Sequence, residues 1–349
     1  MITKESPLPK YYRLKQIMKG EIKKGTFPLD SRFPSEREWM SQHEVSRATV
    51  RQAMEELERE GILLREQGKG TFVKEPPTKL KRFKILIPKI ALHKHSFFFD
   101  VIKGCEAATN GQAELSIQTH EMNNEALSSA IRGSESDGFL IMAPPNTEDL
   151  SILKGIKTPL ILIGGYSPNP DFHAVYSDSY QGSFRLTEYL IKKGHKKIAL
   201  LGGAHSKTFL AIDFLKGYRD ALTAHGISFE AQWRRECSWT KKEGCKLTKE
   251  LLKLKELPTA IFAGDDTIAV GVIKTLKERG IRIPQEMAVV GFNDLDLATV
   301  VEPHLTTMRV PQFEMGEAAY AILCKLVRKE KLTQKHTIFK TELIIRESS

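Results

Sequence analysis

From Phe83 onward, short apolar runs alternate with amphipathic stretches, and this alternation restricts the fold more than any other feature of the chain. The runs KILIPKI, ELSIQTH, DGFLIMAP, PLILIGG, KIALLGG, TAIFAGD and MAVVGFND are rich in Ile, Leu and Val. They show little polar alternation, as expected of strands covered on both faces of a parallel sheet. Helical periodicity lies between them, around residues 98–110 and 124–132 for example. Each unit therefore reads as β-α-β, and the architecture as α/β and doubly wound. There are too many strands for one compact sheet, so two lobes of roughly 130 residues each are expected. A chain of 349 residues leaves space ahead of them for a smaller domain.

Residues 1–75 follow another plan. Leu14, Ile17, Met18 and Ile22 recur at helical spacing over residues 8–28, a run closed by Gly25 and Pro28. Ser35 and Glu38 match the S-x-x-E capping box, so a short helix starts there. After a turn at His43-Glu44-Val45, Ser46 is placed to cap a third helix that buries Val50, Ala53, Met54 and Leu57. Gly61 sits at its C-terminal end. Ile62–Arg65 and Thr71–Val73 flank the glycine turn Gln67-Gly68-Lys69-Gly70 as a hairpin. Three helices and a hairpin make a winged helix-turn-helix, an α+β unit. Residues 76–82 carry a Pro pair and several cations without apolar periodicity, and read as a linker.

Bulk charge does not by itself choose a partner. The net charge is +10, but residues 1–80 hold 16 Lys and Arg against 12 Asp and Glu, so most of the excess lies elsewhere. Placement is more informative than the sum. Arg47 and Arg51 stand four apart at the start of the third helix, opposite its apolar face. Arginines so placed bond guanine edges in a major groove, Ser46 and Thr49 reach phosphate or bases, and the helix N-terminus favours phosphate. An ordinary helix with solvated arginines is the plain alternative. No apolar run approaches the roughly 18 residues of a membrane span, and no apolar leader opens the chain. The four cysteines are scattered without C-x-x-C, which fits a cytoplasmic protein without disulfides or a thiolate zinc site. Ten histidines without H-x-x-x-H support no metal. No cofactor is expected.

The stretch FPSEREWMSQHEVSRATVRQAMEELEREGILLREQGKGTFV resembles the winged-helix DNA-binding domain of the GntR family of bacterial regulators. The resemblance covers roughly residues 10–73. It implies that Arg37, Arg47, Thr49 and Arg51 contact operator DNA, with Ser35 and Ser46 beside them. It also places Gly68 and Lys69, at the hairpin tip, over the minor groove. Glu36 and the run Glu55–Glu60 are expected to face away, and Lys4 and Lys10 could reach phosphate or stay solvated.

Residues 83–349 resemble the effector-binding core of the LacI/GalR family, a two-lobed type I periplasmic-binding-protein-like domain. The pieces are Gly194-His195-Lys196-Lys197, Gly217-Tyr218, Asp266-Thr267-Ile268-Ala269, Val289-Val290-Gly291-Phe292-Asn293-Asp294, Leu305-Thr306-Thr307 and the terminal Leu343–Ser348. The resemblance implies a homodimer and three chain crossings, near Tyr176, near Leu305–Arg309 and near residues 333–337. Lobe 1 would then hold about 83–176 and 309–333, and lobe 2 about 177–305 and 337–349. The effector, a monosaccharide or derivative, would lie between them. Its implied contacts are His95, Phe97, Phe98, Asn146, Tyr176, Trp239, Asp265 and Asn293. Phe214 stands where the family has a sugar-clamping arginine, and Val310 where it has a glutamine. Lys207 or Asp213 are substitutes for the missing polar groups. The plain alternative for Phe97 and Phe98 is the core, and for Asp266 a helix cap.

A ligand-responsive operator-binding regulator follows, a repressor in the first reading and an activator of the same architecture in the second. An enzyme is the competing class. Asp265-Asp266 and Asp294-Asp296 supply carboxylates, but neighbouring residues diverge on a regular element, and no P-loop, G-x-S-x-G or G-x-G-x-x-G follows a strand. A plain solute-binding protein would not carry the DNA-binding head.

Overall fold

The computed structural model describes residues 9–74, 80–89, 97–144, 150, 153, 155–167, 169, 171–202, 209–237 and 239–349. Contacts divide the chain into two units, Met1–Leu80 and Lys81–Ser349.

The first unit holds α1 (Lys10–Lys23), α2 (Glu36–His43) and α3 (Arg47–Arg59), then β1 (Leu63–Glu66) and β2 (Gly70–Val73), an antiparallel hairpin. The α1 helix stops before Pro28 because Gly25, at φ 82°, turns the chain. The Gly25 N–H donates to Ile22 O and the Thr26 N–H to Glu21 O, which satisfies the last carbonyls. Ser35 and Glu38 close the capping box of α2, with the Ser35 N–H donating to Glu38 Oε2 at 2.6 Å. The apolar face of α3 meets Leu14, Met18 and Trp39 in one core. Lys15 is nearly buried in this contact and pairs with Glu56 at 2.6 Å and Glu60 at 2.8 Å, tying α1 to α3. Hydrogen bonds to Glu56 and Glu60 hold its ammonium above the ordinary lysine range against the cost of burial.

The second unit holds two six-stranded sheets. The first has the order β13-β7-β6-β5-β3-β4 and is parallel throughout. Its strands are β3 (Lys81–Pro88), β4 (Ala113–His120), β5 (Gly138–Met142), β6 (Leu160–Ile163), β7 (His173–Ser177) and β13 (His336–Phe339). The helices α4 (Phe97–Thr109), α5 (Asn124–Arg132) and α11 (Gln312–Val327) belong to this lobe. The second sheet has the order β14-β12-β11-β10-β8-β9. It comprises β8 (Ile198–Leu201), β9 (Arg234–Arg235), β10 (Ala260–Ala263), β11 (Ala288–Asn293), β12 (Thr306–Arg309) and the antiparallel edge β14 (Glu342–Ile344). Its helices are α6 (Ser179–Lys192), α7 (Phe209–Ala224), α8 (Lys241–Leu251), α9 (Asp266–Glu278) and the short α10 (Leu297–Val300).

The chain passes between the sheets at residue 178, at 310–311 and at 340–341. The first and third passages touch, since the Asp178 N–H donates to Phe339 O at 2.9 Å. Two boundaries differ from the expected ones. Strand β12 keeps residues up to Arg309 in lobe 2, and β13, paired to β7, keeps His336–Phe339 in lobe 1. The sequence could not reveal the second case: β13 is a four-residue, half-exposed edge strand, too short for its period to register. The first strand also begins at Lys81, inside the stretch expected to be linker, because Lys81 and Arg82 pair with Ala113 and Glu114 of the neighbouring strand and Asp137 accepts the Arg82 N–H.

Candidate nucleic-acid interface and effector cleft

In the first unit Arg37, Ser46, Arg47 and Arg51 are all exposed at the start of α2 and α3. Ser46 caps α3, its hydroxyl accepting the Thr49 N–H at 3.3 Å and lying 2.9 Å from the Thr49 hydroxyl. The Ser35 hydroxyl is engaged with Glu38 at 2.7 Å, so its role inside the unit is capping. Gly68 takes φ 79° at the hairpin tip, and nothing lies within 4 Å of where its Cβ would be. That leaves the tip backbone open beside the exposed Lys69.

Glu36 accepts from Arg47 Nε at 2.9 Å and from Arg65 at 3.3 Å, joining α2, α3 and β1. The Arg47 hydrogen bond holds its carboxyl below the ordinary glutamate range against the cost of partial burial. Arg51 pairs with Glu55 at 3.0 Å. Both arginine side chains remain mostly exposed in these pairs, so a phosphate or guanine competes against a weakly held partner. Arg32, overlooked in the sequence, bridges to Phe72 and sets its guanidinium against Gly70.

In the second unit several residues named from the sequence lie at or just beyond the carboxyl ends of parallel strands, where ligands bind in open α/β sheets. On lobe 2, Trp239 lies over Gly202 and Gly264, which follow β8 and β10; a Cβ at Gly264 would stand 3.2 Å from the indole. Glycine at these two strand ends is what lets the ring approach. Asp265 and Asn293 meet there, the Asn293 amide donating to Asp265 Oδ2 at 2.9 Å. Asp265, rather than Asp266, caps α9, accepting the Thr267 N–H at 2.7 Å. Asp266 is fully buried, taking the Thr307 hydroxyl at 2.6 Å and the Leu295 N–H at 2.7 Å. Burial, then the neighbouring Asp265, pushes its carboxyl well above the usual aspartate range.

Two of the aromatics expected at the pocket are buried. Phe98 is a buried member of the main apolar cluster. Phe214, also buried, packs against Phe262 and Phe292 with ring centroids 5.2 Å away in each case. A ring where a guanidinium was expected packs instead in an aromatic cluster of lobe 2. Phe97 is half-buried beside Gly164 at the end of β6. Tyr176 stacks on Tyr166 at 4.6 Å, and its hydroxyl lies 3.3 Å from His336 Nδ1. The Tyr166 hydroxyl donates to Asp213 Oδ2 at 2.7 Å. Tyr166 follows β6 and Asp213 lies on α7, so this bond joins the lobes. A second such bond runs from Gln312 Nε2, at the start of α11, to Asn293 O at 2.8 Å. Tyr166 and Gln312 carried no signal in the sequence, because nothing local marks a residue whose partner is 47 or 19 positions away. His95, Asn146, Lys4 and Lys207 lie outside the described residues. Among the described residues no group of three or more His, Cys, Asp or Glu is placed to hold a metal, and no helix is long and apolar enough to cross a membrane.

A capped recognition helix with a glycine-tipped wing, followed by a two-lobed α/β body, defines a ligand-controlled DNA-binding regulator. Residues 10–73 match the model of the bacterial regulatory proteins of the gntR family, and residues 187–349 that of the periplasmic binding protein-like domain. The arabinose metabolism transcriptional repressor of Geobacillus stearothermophilus is 30% identical over 99% of both chains. The chain belongs to this family of transcriptional repressors, and it is a regulator rather than an enzyme. Solved structures agree on the fold. A LacI regulator from Bacillus cereus superposes with a TM-score of 0.71 at 26% identity, covering 77% of this chain and 98% of its own. The regulator CelR, solved with cellobiose, reaches 0.71 at 23% identity over 88% of this chain and 92% of its own.

Proposed function

We propose that the chain is a cytoplasmic, homodimeric repressor that releases a pseudo-palindromic operator when a neutral pentose enters the cleft. The observation that carries this reading is the full-length match to an arabinose-metabolism repressor, which spans head and body together. The site chemistry supports it. Trp239, Phe97 and Tyr166 offer aromatic faces to the C–H surface of a small sugar, and Asp213, Asp265 and Asn293 offer acceptors and a donor to its hydroxyls. With Phe214 in the core, no guanidinium clamps the ligand from that position. Arg37, Arg47, Thr49 and Arg51, with the backbone at Gly68 and Lys69, form the operator face. A dimer sets two such faces one helical turn or more apart.

Fluorescence anisotropy with the DNA upstream of the protein's own gene tests both halves. L-Arabinose is expected to release the DNA from the native protein. Arg47→Ala is expected to lose specific affinity by roughly tenfold or more while keeping its melting temperature. Retention of specific affinity in Arg47→Ala at physiological salt would overturn the DNA assignment. Binding that no pentose alters would overturn the effector class.

A further inference from the structure

The bond from the Tyr166 hydroxyl to Asp213 is made by the protein itself across the cleft, with lobe 1 as donor and lobe 2 as acceptor. Both residues are half-buried. Tyr166 is braced by Tyr176, stacked at 4.6 Å with planes 25° apart, and by His336 at 5.6 Å. These braces are not ordinary wall positions. Tyr176 is in β7, which leads into the first chain crossing, and His336 is in β13, which leads into the third. Tyr176 and His336 also contact each other, with the tyrosine oxygen 3.3 Å from His336 Nδ1. The group that spans the cleft is thus built on two of the three strands about which the lobes must turn. On the lobe 2 side, Asp213 precedes Phe214, whose ring is locked between Phe262 and Phe292. The carboxylate therefore has a rigid base. The bond is charge-assisted and partly shielded from water, the kind that contributes most per contact.

We propose that Tyr166 and Asp213 form a clasp that sets the balance between open and closed lobes, which makes them positioning residues for effector control. The inference rests on the cleft being the effector site. Its chemical content is that the clasp supplies, without ligand, part of the closure a ligand would otherwise supply. A sugar hydroxyl arriving at Asp213 exchanges one donor for another, so the incoming ligand trades contacts at the point where the lobes are joined. The size of the effector response then depends on how much of the closing free energy the clasp already holds.

Hydrogen–deuterium exchange on the full-length protein without ligand tests this. In Tyr166→Phe and in Asp213→Ala, the amides of residues 178–182, of Val310 and of residues 312–315 are expected to exchange roughly tenfold faster, the opening expected on losing one charge-assisted bond. The strand at 198–201 in the centre of lobe 2 is expected to be unchanged. Asp213→Asn keeps an acceptor oxygen and is expected to recover a large part of the protection. The double variant Tyr166→Phe/Asp213→Ala is expected to exchange no faster than either single variant, since both remove the same bond. Unchanged crossings in the single variants, additive acceleration in the double variant, or acceleration spread evenly through 198–201 would each overturn the clasp. A thermal-shift titration of the native protein with L-arabinose keeps the two readings apart. An absent shift counts against the pentose and leaves the exchange result standing.

Discussion

Asp266 shows how one carboxyl serves the fold without touching solvent. Its two oxygens gather the Thr307 hydroxyl and the Leu295 N–H, so it pins β12 and the loop after β11 to the start of α9. Gly291 makes space for it, as a Cβ there would stand 2.2 Å from Oδ1. Because burial and Asp265 raise its folded pKa, the folded state holds this proton more tightly than the unfolded chain does. The associated stability is complete below the unfolded aspartate pKa of about 3.9 and is lost as pH rises through the folded value. Urea unfolding of Asp266→Asn from pH 4 upward is expected to lack this decline, which in the native protein approaches about 1.4 kcal/mol per pH unit at its steepest. A native protein whose stability is flat across that range would contradict the buried, proton-holding carboxyl. At this scale the sequence was half legible. The Asp-Asp pair at the end of TAIFAGD was visible, but which member caps the helix depends on which one the β12 hydroxyl reaches.

Helix pairs pack through glycine. Gly104 of α4 faces the Phe313 carbonyl, where a Cβ would stand only 2.0 Å away, and Gly316 of α11 faces the Val101 carbonyl at 2.1 Å. On lobe 2, Gly244 of α8 and Gly271 of α9 face Ile268 O and Lys241 O in the same reciprocal way. Backbone cannot yield to a methyl group as a flexible side chain does. Gly104→Ala is therefore expected to lower stability by roughly 1–3 kcal/mol in urea unfolding. Gly20→Ala, in α1 with nothing within 4 Å of a Cβ, is expected to raise it by up to about 1 kcal/mol. Equal effects of the two substitutions would refute the seam. Most elements were legible because apolar runs such as GFLIM and AIFA and caps such as Ser35 and Ser46 announce themselves locally. Strands β7, β12, β13 and β14 were not. They are three to five residues long and owe their state to partners far along the chain.

At the scale of the molecule, lobe 1 leaves an apolar surface exposed. Ile117 and Met122 lie on and just after the edge strand β4, with Phe99 and Phe313 on the α4–α11 pair. A sheet edge with exposed apolar groups is a pairing surface, and in the homodimer proposed above a second copy of the chain would pack on it. Ile117→Asp is expected to shift sedimentation from dimer to monomer without unfolding the lobe; a dimer unaffected by that charge would place the interface elsewhere. The three crossings have a further consequence, one of timing. Lobe 1 takes its edge strand β13 and its helix α11 from residues 312–339, although its other strands are complete by Ser177. A chain leaving the ribosome therefore holds an unfinished first lobe through most of its own synthesis. Both lobes are completed close together along the chain, one by β13 at His336–Phe339 and the other by β14 at Glu342–Ile344. A chain that stops before His336 therefore leaves both sheets short of an edge strand, so neither lobe closes without this late segment.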